Sequence, residues 1–394
     1  MTAPDSSRIL PGRTLGILGG GQLGSMFAMA ASRMGYRVEA ISDVADCPAA
    51  RHCDRLHVGD YTDTALLARV AAGLDVVTFE FENIPVATGR ALAAAVPVRP
   101  CPEVLFTTQD RGREKAFLTA NGFACVPYRL VRSRDELRAA AAALGLPAVL
   151  KTAAFGYDGK GQCRITATAD IDAAWERLAG AANGPPELVL EAWIDFDCEI
   201  SVVAARGVDG TIAAFAPSRN AHAHHILDVS SVPAGLPEPV LAEATAITSR
   251  ILVALDVIGV ACVEFFVTRD GRVLVNEIAP RTHNSGHLTI EACDTSQFEQ
   301  QVRAICGLPL GSTRQRSPAA MANLLGDCWR DAATGEFVEP DWAAALAVPG
   351  VSLHLYGKQE PRPGRKMGHL TAVADTVDEA IARVTRARKV AARS

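Results

Sequence analysis

Two glutamates, Glu264 and Glu277, stand on either side of a turn in the segment GVACVEFFVTRDGRVLVNEIAPR, residues 259–281. The dipeptide Asp270-Gly271 between two β-rich runs predicts a two-residue hairpin turn, and this register places Glu264 directly opposite Glu277. The shared face is predicted to carry the apolar side chains of Phe266, Val273 and Val275. Two carboxylates about 5 Å apart on one sheet face repel each other, unless both point to solvent. A divalent cation reverses the repulsion, and hard oxygen ligands favour Mg²⁺, which usually also holds substrate phosphates.

A glycine-rich loop follows a lysine-bearing apolar strand in VLKTAAFGYDGKGQCRIT, residues 149–166. The loop is not a Walker P-loop, because G-x-x-x-x-G-K-[ST] is absent. Glycines between residues 156 and 162 let backbone amides approach phosphate oxygens, and Lys160 adds a positive charge. Lys151 would be costly to bury without a partner, and a nucleotide phosphate would provide one. A plain hairpin loop with a snorkelling lysine fits this stretch equally well.

A second glycine pattern, G-x-G-x-x-G at residues 19–24, lies between an apolar run and an apolar-periodic stretch. This order predicts strand, tight turn and helix, and the helix N-terminus offers free amides to an anion. Asp43 follows at about the place where dinucleotide-binding enzymes carry a ribose-binding acid. The glycines alone therefore indicate a phosphate site and do not say whose phosphate it is.

Two further segments carry polar side chains that suit nucleotide binding. In LVLEAWIDFDCEISVVAA, residues 188–205, Glu191 and Glu199 lie within two apolar strands. Their carboxylates could accept from ribose hydroxyls, and the backbone of residues 192–194 could meet an adenine edge. Taken alone, however, either glutamate is more often a surface ion-pair member. The HAHH cluster at 222–225 invites a metal hypothesis, but no carboxylate or cysteine stands near it in a ligand pattern along the sequence.

Composition excludes several classes of protein. The chain has 394 residues, a net charge of −5 and 49% hydrophobic residues, which is typical of a multidomain globular protein. No basic stretch is interleaved with aromatics, so nucleic acid is not an expected partner. No secretory signal and no apolar run of about 18 residues is present, so no membrane partner is expected. Ten scattered cysteines without C-x-x-C indicate reduced thiols in a cytoplasmic protein.

The order of predicted elements indicates an α/β fold that is α+β in part. Five strand signals alternate with alanine-rich helices up to about residue 100, TLGILG, YRVEAIS, RLHVGD, DVVTFEF and VPVRP, which predicts a parallel sheet covered by helices. Antiparallel strands with short glycine turns follow, together with a long helix over about 238–256. We expect a Rossmann-like N-terminal domain at 1–110, a central domain at 111–310 and a small C-terminal domain at 311–394.

Seven motifs together carry a family resemblance. They are GILGGGQLG, FEFENIP, TQDRGREK, LKTAAFGYDGKGQ, LEAWIDFDCEISVV, NEIAPRTHNSGH and GKQEPRPGRKMGH, in this order. In this combination the sequence resembles the ATP-grasp superfamily, and within it the N5-carboxyaminoimidazole ribonucleotide synthetases of purine biosynthesis. The resemblance implies an ATP-grasp fold with an N-terminal pre-ATP-grasp domain, ATP held between two antiparallel sheets, and a homodimer.

The resemblance also assigns roles to individual residues. For ATP it implies Arg111, Lys151, Gly156, Tyr157, Asp158, Gly159, Lys160, Gly161, Gln162, Glu191, Ala192, Trp193, Ile194, Glu199, His222, Asn276 and Glu277. For the ribonucleotide it implies Gln22, Leu23, Glu82, Tyr157, Asp158, Lys160, Lys358 and Arg365. Bicarbonate would meet Arg281, His283 and Asn284, and Glu264 with Glu277 would hold Mg²⁺. The catalytic set would be Lys151, Glu264, Glu277 and Arg281.

Two positions depart from the family pattern, Thr282 in place of proline and Lys160 in place of arginine. Lysine keeps the charge but loses the planar fork of arginine. The implied reaction is ATP-dependent carboxylation of aminoimidazole ribonucleotide by bicarbonate through carboxyphosphate. The alternatives are another ATP-grasp ligase, such as the formate-dependent glycinamide ribonucleotide transformylase, a Rossmann NAD(P) oxidoreductase, and a nucleotide-binding regulator without catalysis.

Overall fold

The N-terminal part of the chain forms a parallel sheet with helices on both faces. The computed structural model describes residues 8–154, 161–179, 187–331 and 334–393. In the first hundred residues the elements are β1 (Thr14–Leu18), α1 (Gln22–Arg33), β2 (Arg37–Ser42), β3 (Arg55–Val58), α2 (Thr64–Ala71), β4 (Val76–Phe79), α3 (Val86–Ala93) and α4 (Pro102–Thr108). The strand order is β3-β2-β1-β4, and every pairing is parallel. The predicted fifth strand, VPVRP, is reduced to one bridge between Val98 and Val77.

The central part of the chain builds two antiparallel sheets. Its first elements are α5 (Arg111–Ala120), β5 (Tyr128–Val131), α6 (Arg134–Leu144), β6 (Ala148–Thr152), β7 (Gln162–Ile165), α7 (Ile171–Ala179), β8 (Leu188–Ala192), β9 (Phe196–Arg206) and β10 (Ile212–Ala214). They are followed by β11 (Ser218–Ala223), β12 (Ile226–Val232), α8 (Glu238–Ala254), β13 (Gly259–Thr268), β14 (Val273–Ala279), α9 (Thr289–Ala292) and α10 (Gln297–Ile305). The small sheet has the order β5-β8-β6-β7, and β9 begins the large one, so residues 193–195 connect the two sheets.

The hairpin β13–β14 differs from the predicted geometry in two compensating ways. The turn has three residues, because the Thr268 amide donates to the Arg272 carbonyl oxygen and Gly271 has a φ of +82°. A β-bulge then shifts the register at Asn276, so that Glu264 still pairs with Glu277. The predicted pairing is confirmed, but the two-residue turn is wrong.

The predicted apolar face of this hairpin is also wrong. Between the turn and the bulge, Phe265 pairs with Val275 and Val267 with Val273. These four side chains are buried in one hydrophobic cluster under α8. Glu264 and the half-buried Phe266 therefore lie on the opposite face, which Val273 and Val275 do not share.

The C-terminal strands extend the large sheet. The remaining elements are β15 (Ala319–Leu325), α11 (Trp342–Leu346), β16 (Val351–Leu355), β17 (Lys366–Val373) and α12 (Val377–Ala391). Because β15 pairs antiparallel with β12, the main path of the large sheet runs β14-β13-β9-β11-β12-β15-β17-β16, with β10 beside β9. Within the described ranges, no helix combines the length and apolarity needed to cross a membrane.

Helix α10 packs between the N-terminal unit and the large sheet. Phe298, Val302 and Ile305 on one side of the helix join the hydrophobic cluster that contains Leu15 and Phe27 of the parallel sheet and α1. The helix thus fixes the position of the N-terminal glycine turn relative to the strands that carry the glutamates.

Candidate active site

The N-terminal glycine turn is closed by a carboxylate that the sequence analysis did not single out. Glu80, at the end of β4, accepts a hydrogen bond from the Gly21 amide and another of 2.8 Å from the Gly24 amide. A Cβ at position 21 would lie 2.5 Å from Glu80 Oε1, so this approach requires glycine. In the described part of the chain, the amides of Gln22 and Leu23 make no hydrogen bond at this turn. These two amides remain available to an anion at the N-terminus of α1.

Replacing Glu80 with glutamine is expected to lower the free energy of unfolding by about 1–3 kcal/mol. The amide oxygen can accept from only one of the two glycine amides, and the side-chain NH₂ then faces the other buried N–H. Urea denaturation measures the change. The control is Glu103→Gln, which removes an exposed ion pair with Arg90 and should cost less than about 1 kcal/mol. Equal effects of the two substitutions would contradict this role of Glu80.

An ion pair joins the N-terminal unit to the loop after β14. Arg281 Nη2 lies 2.7 Å from Glu82 Oε1 and donates a 3.0 Å hydrogen bond to Oε2, and both side chains are mostly buried. Arg281 Nη1 also donates to the Thr282 carbonyl oxygen at 2.9 Å. The predicted ribonucleotide residue Glu82 and the predicted bicarbonate residue Arg281 therefore contact each other. Thr282 itself is buried, at 5% exposure.

Glu264 lies in a cluster with two histidines and a second glutamate. His283 Nε2 is 2.7 Å from Glu264 Oε1, and His222 Nδ1 is 3.2 Å from Glu199 Oε1. Ligand atoms of Glu199, His222 and Glu264 all lie within 4.8 Å of one another. Along the sequence no carboxylate lies near the HAHH segment, but in the folded chain strands β9 and β13 bring Glu199 and Glu264 to His222. The interpretation that the segment has no neighbouring carboxylate is therefore wrong. His224 and His225 are exposed.

Burial alone would lower the pKa of His283, but the neighbouring Cys262 sulfur and the Glu264 carboxylate raise it well above its usual range. The same contact with His283 outweighs the burial of Glu264 and lowers the pKa of that carboxyl. Glu264 is therefore a carboxylate that accepts from His283 Nε2, while His283 Nδ1 accepts a 3.3 Å hydrogen bond from the Ser285 amide. His283 Nδ1 also lies 2.8 Å from Ser285 Oγ, which fixes the ring on its other side.

Glu277 has a different partner from Glu264. Arg111, at the start of α5, donates a 3.1 Å hydrogen bond from Nη1 to Glu277 Oε2. The two facing glutamates thus each have a hydrogen-bond donor of the protein as a partner, so their repulsion alone does not require a metal. Next to Glu277, Asn276 Oδ1 is buried and has no hydrogen-bond partner among the described residues. This oxygen could therefore bind a cation or accept a hydrogen bond.

A buried charge network links Lys115, Lys151 and Glu191. Lys151 Nζ donates a 2.6 Å hydrogen bond to Glu191 Oε2, and Lys115 Nζ lies 3.3 Å from Glu191 Oε1. Lys115 is 0% exposed and also donates to the Asn276 carbonyl oxygen at 2.9 Å. Burial alone would raise the pKa of Glu191, but the two lysines lower it to about 2. The partner predicted for Lys151 was a phosphate, whereas Glu191 satisfies it here.

Sequence reasoning missed Lys115 and its neighbour Glu114. Glu114 is 1% exposed and accepts a 2.9 Å hydrogen bond from the Ile278 amide. Burial and the nearby Glu277 raise its pKa to about 8. Helical spacing provides a signal for Lys115, because Arg111 and Lys115 are four residues apart and share one face of α5.

The connection between the two sheets carries the residues predicted to meet adenine. The Ala192 amide donates to the Pro127 carbonyl oxygen at 2.9 Å, and the Trp193 amide donates to Pro147 at 3.3 Å. Among the described residues this leaves the Ile194 amide and the segment's carbonyl groups to meet a base edge. The Trp193 ring is 43% exposed and lies 4.0 Å from the Arg164 guanidinium.

The remaining predicted residues fall into three places. Gly156, Tyr157, Asp158, Gly159 and Lys160 lie outside the described residues. Gly161 accepts a hydrogen bond from the Thr152 amide, and Gln162 begins β7 opposite Lys151. Lys358 donates a 2.7 Å hydrogen bond to the Lys366 carbonyl oxygen, and Arg365 donates to the Glu360 carbonyl oxygen. Asn284 exchanges two side-chain hydrogen bonds with Asn323 of β15. The C-terminal strands therefore contact the loop that carries Asn284, one of the residues predicted to meet bicarbonate.

Comparisons with known proteins match this arrangement along the chain. Family models match residues 13–109 as a ribonucleotide synthetase preATP-grasp domain, 116–298 as an ATP-grasp domain and 319–383 as a phosphoribosylaminoimidazole carboxylase C-terminal domain. The N5-carboxyaminoimidazole ribonucleotide synthase of Brucella melitensis is 44% identical over 369 residues, which cover 94% of this chain and 98% of that protein. The chain belongs to the N5-carboxyaminoimidazole ribonucleotide synthase family.

Other members of the N5-carboxyaminoimidazole ribonucleotide synthase family are also similar to this chain in sequence and in structure. The Bacillus subtilis synthase is 40% identical, covering 96% of both chains. A synthetase solved as its ADP complex superposes with a TM-score of 0.89 at 39% identity, covering 97% of this chain and 98% of that one. The Aspergillus clavatus synthase, solved with ADP and 5-aminoimidazole ribonucleotide, gives 0.84 at 29% identity, covering 96% and 98%. The ATP-grasp fold implied by the seven motifs is confirmed.

Proposed function

We propose that this chain catalyses the ATP-dependent carboxylation of 5-aminoimidazole ribonucleotide by bicarbonate, releasing ADP and phosphate. The observation that carries the proposal is the Arg281–Glu82 ion pair. It joins the loop after the glutamate-bearing strands to the unit with the N-terminal glycine turn. A nucleotide phosphate near Glu277 and a substrate phosphate at the amides of Gln22 and Leu23 would therefore lie on either side of one cleft.

The proposed reaction has two steps. A bicarbonate oxygen attacks the γ-phosphorus of ATP, the bond to the β–γ bridging oxygen breaks, and ADP leaves with the electron pair. The exocyclic amine of the ribonucleotide then attacks the carboxyl carbon of carboxyphosphate. Phosphate leaves with the carbon–oxygen electron pair, and the amine loses one proton. Carboxyphosphate decomposes in water, so a closed cleft that excludes water favours the second step.

The protein's cations suit the first step. Phosphoryl transfer depends on positioning and on neutralising the charge of the transferring group. Lys151 contacts Glu191, and Arg111 contacts Glu277. We assign to Lys151 and Arg111 the role of binding the phosphates of ATP. His283, held by Glu264, and Arg281 would orient the bicarbonate anion. Both ring nitrogens of His283 already have partners, so we do not assign His283 the role of a general base.

The donor set also suits a magnesium ion. Glu264 and Glu277 pair across β13 and β14, and the unpartnered Asn276 Oδ1 lies beside them, so hard oxygen ligands are at hand. We propose that Glu264 and Glu277 hold Mg²⁺. When bound, the ion would neutralise charge on the ATP phosphates. Without the ion, Arg111 pairs with the Glu277 carboxylate and His283 pairs with the Glu264 carboxylate.

An assay of ADP release tests the proposed function. ADP should form rapidly only when ATP, Mg²⁺, bicarbonate and 5-aminoimidazole ribonucleotide are all present, with one ribonucleotide carboxylated per ADP. A parallel reaction with formate and glycinamide ribonucleotide should give no more ADP than the blank. Failure to release ADP with the complete first mixture would reject the assignment, and release in the formate reaction would favour the transformylase.

We further propose a cytoplasmic homodimer. All ten cysteines are unpaired, which fits a reducing compartment. The homodimer rests on the family resemblance, and sedimentation equilibrium tests it directly.

A further inference from the structure

Helix α10 carries three buried glutamines, Gln297, Gln300 and Gln301, each no more than 3% exposed. Buried glutamine side chains are uncommon and are retained with hydrogen-bond partners. Gln301 joins the N-terminal unit to the large sheet, because it donates to Thr78 Oγ1 at 2.8 Å and accepts from the Val260 amide at 2.5 Å. The other two glutamines each bind both backbone groups of a single loop residue.

Gln297 binds the backbone of His283. The His283 amide donates to Gln297 Oε1 at 2.9 Å, and Gln297 Nε2 donates to the His283 carbonyl oxygen at 2.7 Å. Gln297 Nε2 also lies 3.1 Å from Nδ1 of the buried His287. One side chain therefore holds both ends of the turn from residue 283 to residue 287.

The turn is packed closely against this glutamine. A Cβ on Gly286 would lie 2.5 Å from Gln297 Oε1, so the backbone has no room to move towards α10. Thr289 Oγ1 donates to the Gly286 carbonyl oxygen at 2.6 Å and accepts from the Gln297 amide at 3.0 Å. The glutamine and the threonine thus fix the turn from the side opposite to the cleft.

The placement of the turn determines where the His283 ring meets Glu264. On the cleft side, His283 Nδ1 lies 2.8 Å from Ser285 Oγ. Ser285 Oγ in turn shares a 2.7 Å hydrogen bond with the buried Ser201 Oγ of β9. The ring is therefore oriented by groups whose own positions depend on the backbone of residues 283–286.

We propose that Gln297 is a positioning residue for the carboxylation, holding the backbone of His283 so that the His283 ring and Asn284 retain the bicarbonate-derived group. This inference rests on the proposed function. A misplacement of about 1 Å in such a group can lower a rate about a hundredfold. A loosened turn would let carboxyphosphate escape to water, and ADP formation would then exceed ribonucleotide carboxylation.

Gln300 provides a matched control on the same helix. It binds the backbone of Gly311 in the same two-point manner, accepting from the amide at 2.8 Å and donating to the carbonyl oxygen at 2.7 Å. Gly311 belongs to the connection before β15 and carries no proposed substrate contact. Gln297→Met and Gln300→Met remove the same kind of hydrogen bonds from two places on one helix.

The experiment measures kcat, the KM for ATP and the ADP formed per ribonucleotide carboxylated, together with the melting temperature. For Gln297→Met we expect a 10- to 100-fold lower kcat for carboxylation, an ADP ratio of about three or more, and a KM for ATP within about threefold of the unsubstituted enzyme's. For Gln300→Met we expect a ratio near one and a kcat within about threefold, with a similar fall in melting temperature.

A ratio near one in Gln297→Met, with a kcat like that of Gln300→Met, would overturn the inference. If Gln297→Met does not fold, Thr289→Val decides, because it removes the hydrogen bonds of Thr289 Oγ1 to Gly286 and from the Gln297 amide but retains the Gln297 side chain. A raised ADP ratio in Thr289→Val supports the inference, and an unchanged ratio overturns it. Failure of the proposed function is distinguishable, since the unsubstituted enzyme would then release no ADP in response to bicarbonate and ribonucleotide.

Discussion

The Glu277→Gln enzyme is expected to lose about a thousandfold or more in kcat while remaining folded. The substitution removes one of the two carboxylates proposed to hold Mg²⁺, and charge stabilisation by such an ion contributes several kcal/mol to the transition state. The fold should persist, because the Glu277 side chain is 44% exposed. Its ion pair with Arg111 should contribute about 1 kcal/mol or less to stability. Steady-state ADP release at several Mg²⁺ concentrations and a thermal melt measure both effects.

Glu264→Gln is the companion variant for this prediction. Its loss of kcat should be comparable, and the double variant should be no more than about tenfold slower than either single one, because ligands of one ion act as a unit. More than a tenth of the activity remaining in Glu277→Gln would contradict the metal assignment. Unfolding of that variant would instead indicate a structural role for Glu277.

The Glu191→Gln protein is expected to be less stable by about 3–5 kcal/mol, the usual cost of leaving a buried charge without its partner. Two cations lose their counter-charge, Lys115 at 0% exposure and Lys151 at 13%. Urea denaturation at neutral pH measures the loss. The control, Glu187→Gln, lies just before the same strand and removes an exposed ion pair with Arg132, so its effect should stay below about 1 kcal/mol. Equal midpoints for the two variants would contradict the buried network.

The pH dependence provides a second check on Glu191. Its folded-state pKa of about 2 lies below the ordinary value of 4.5. The corresponding stabilisation, about 3 kcal/mol, is therefore present above pH 4.5 and is lost as the pH falls from 4.5 towards 2. The stability gap between the unsubstituted protein and Glu191→Gln should narrow by roughly 1 kcal/mol between about pH 7 and pH 3.5. A gap that does not change with pH would contradict the ionised state of Glu191.

The hairpin β13–β14 shows which features of the fold local sequence rules can predict. The turn residues and β-rich runs predicted the hairpin and its Glu264–Glu277 pairing, and both are present. The three-residue turn and the bulge at Asn276 each shift the register by one residue, in opposite directions. Turn rules cannot reveal a bulge, because nothing in the flanking residues distinguishes it. Val273 and Val275 were consequently predicted on the wrong face.

The electrostatics of the site could not be predicted from the sequence. Glu80 meets Gly24 across 56 residues, and Lys115 meets Asn276 across 161. Such contacts depend on the packing of separate units, which periodicity does not encode. Lys151 illustrates the consequence, since the same reasoning that required a partner for it could not choose between a phosphate and Glu191. The family and the fold were predicted from the motifs because these combine many positions, whereas the site residues and domain boundaries remain predictions.

The pairing of β15 with β12 has a consequence for the synthesis of the chain. While a ribosome is still making the last quarter of the protein, β12 lacks one of its two neighbours and exposes a row of unpaired backbone groups. Such an open edge invites pairing with other nascent chains. Once they are made, the C-terminal strands cover this edge as well as placing Asn323 beside Asn284, so their removal would expose β12 again.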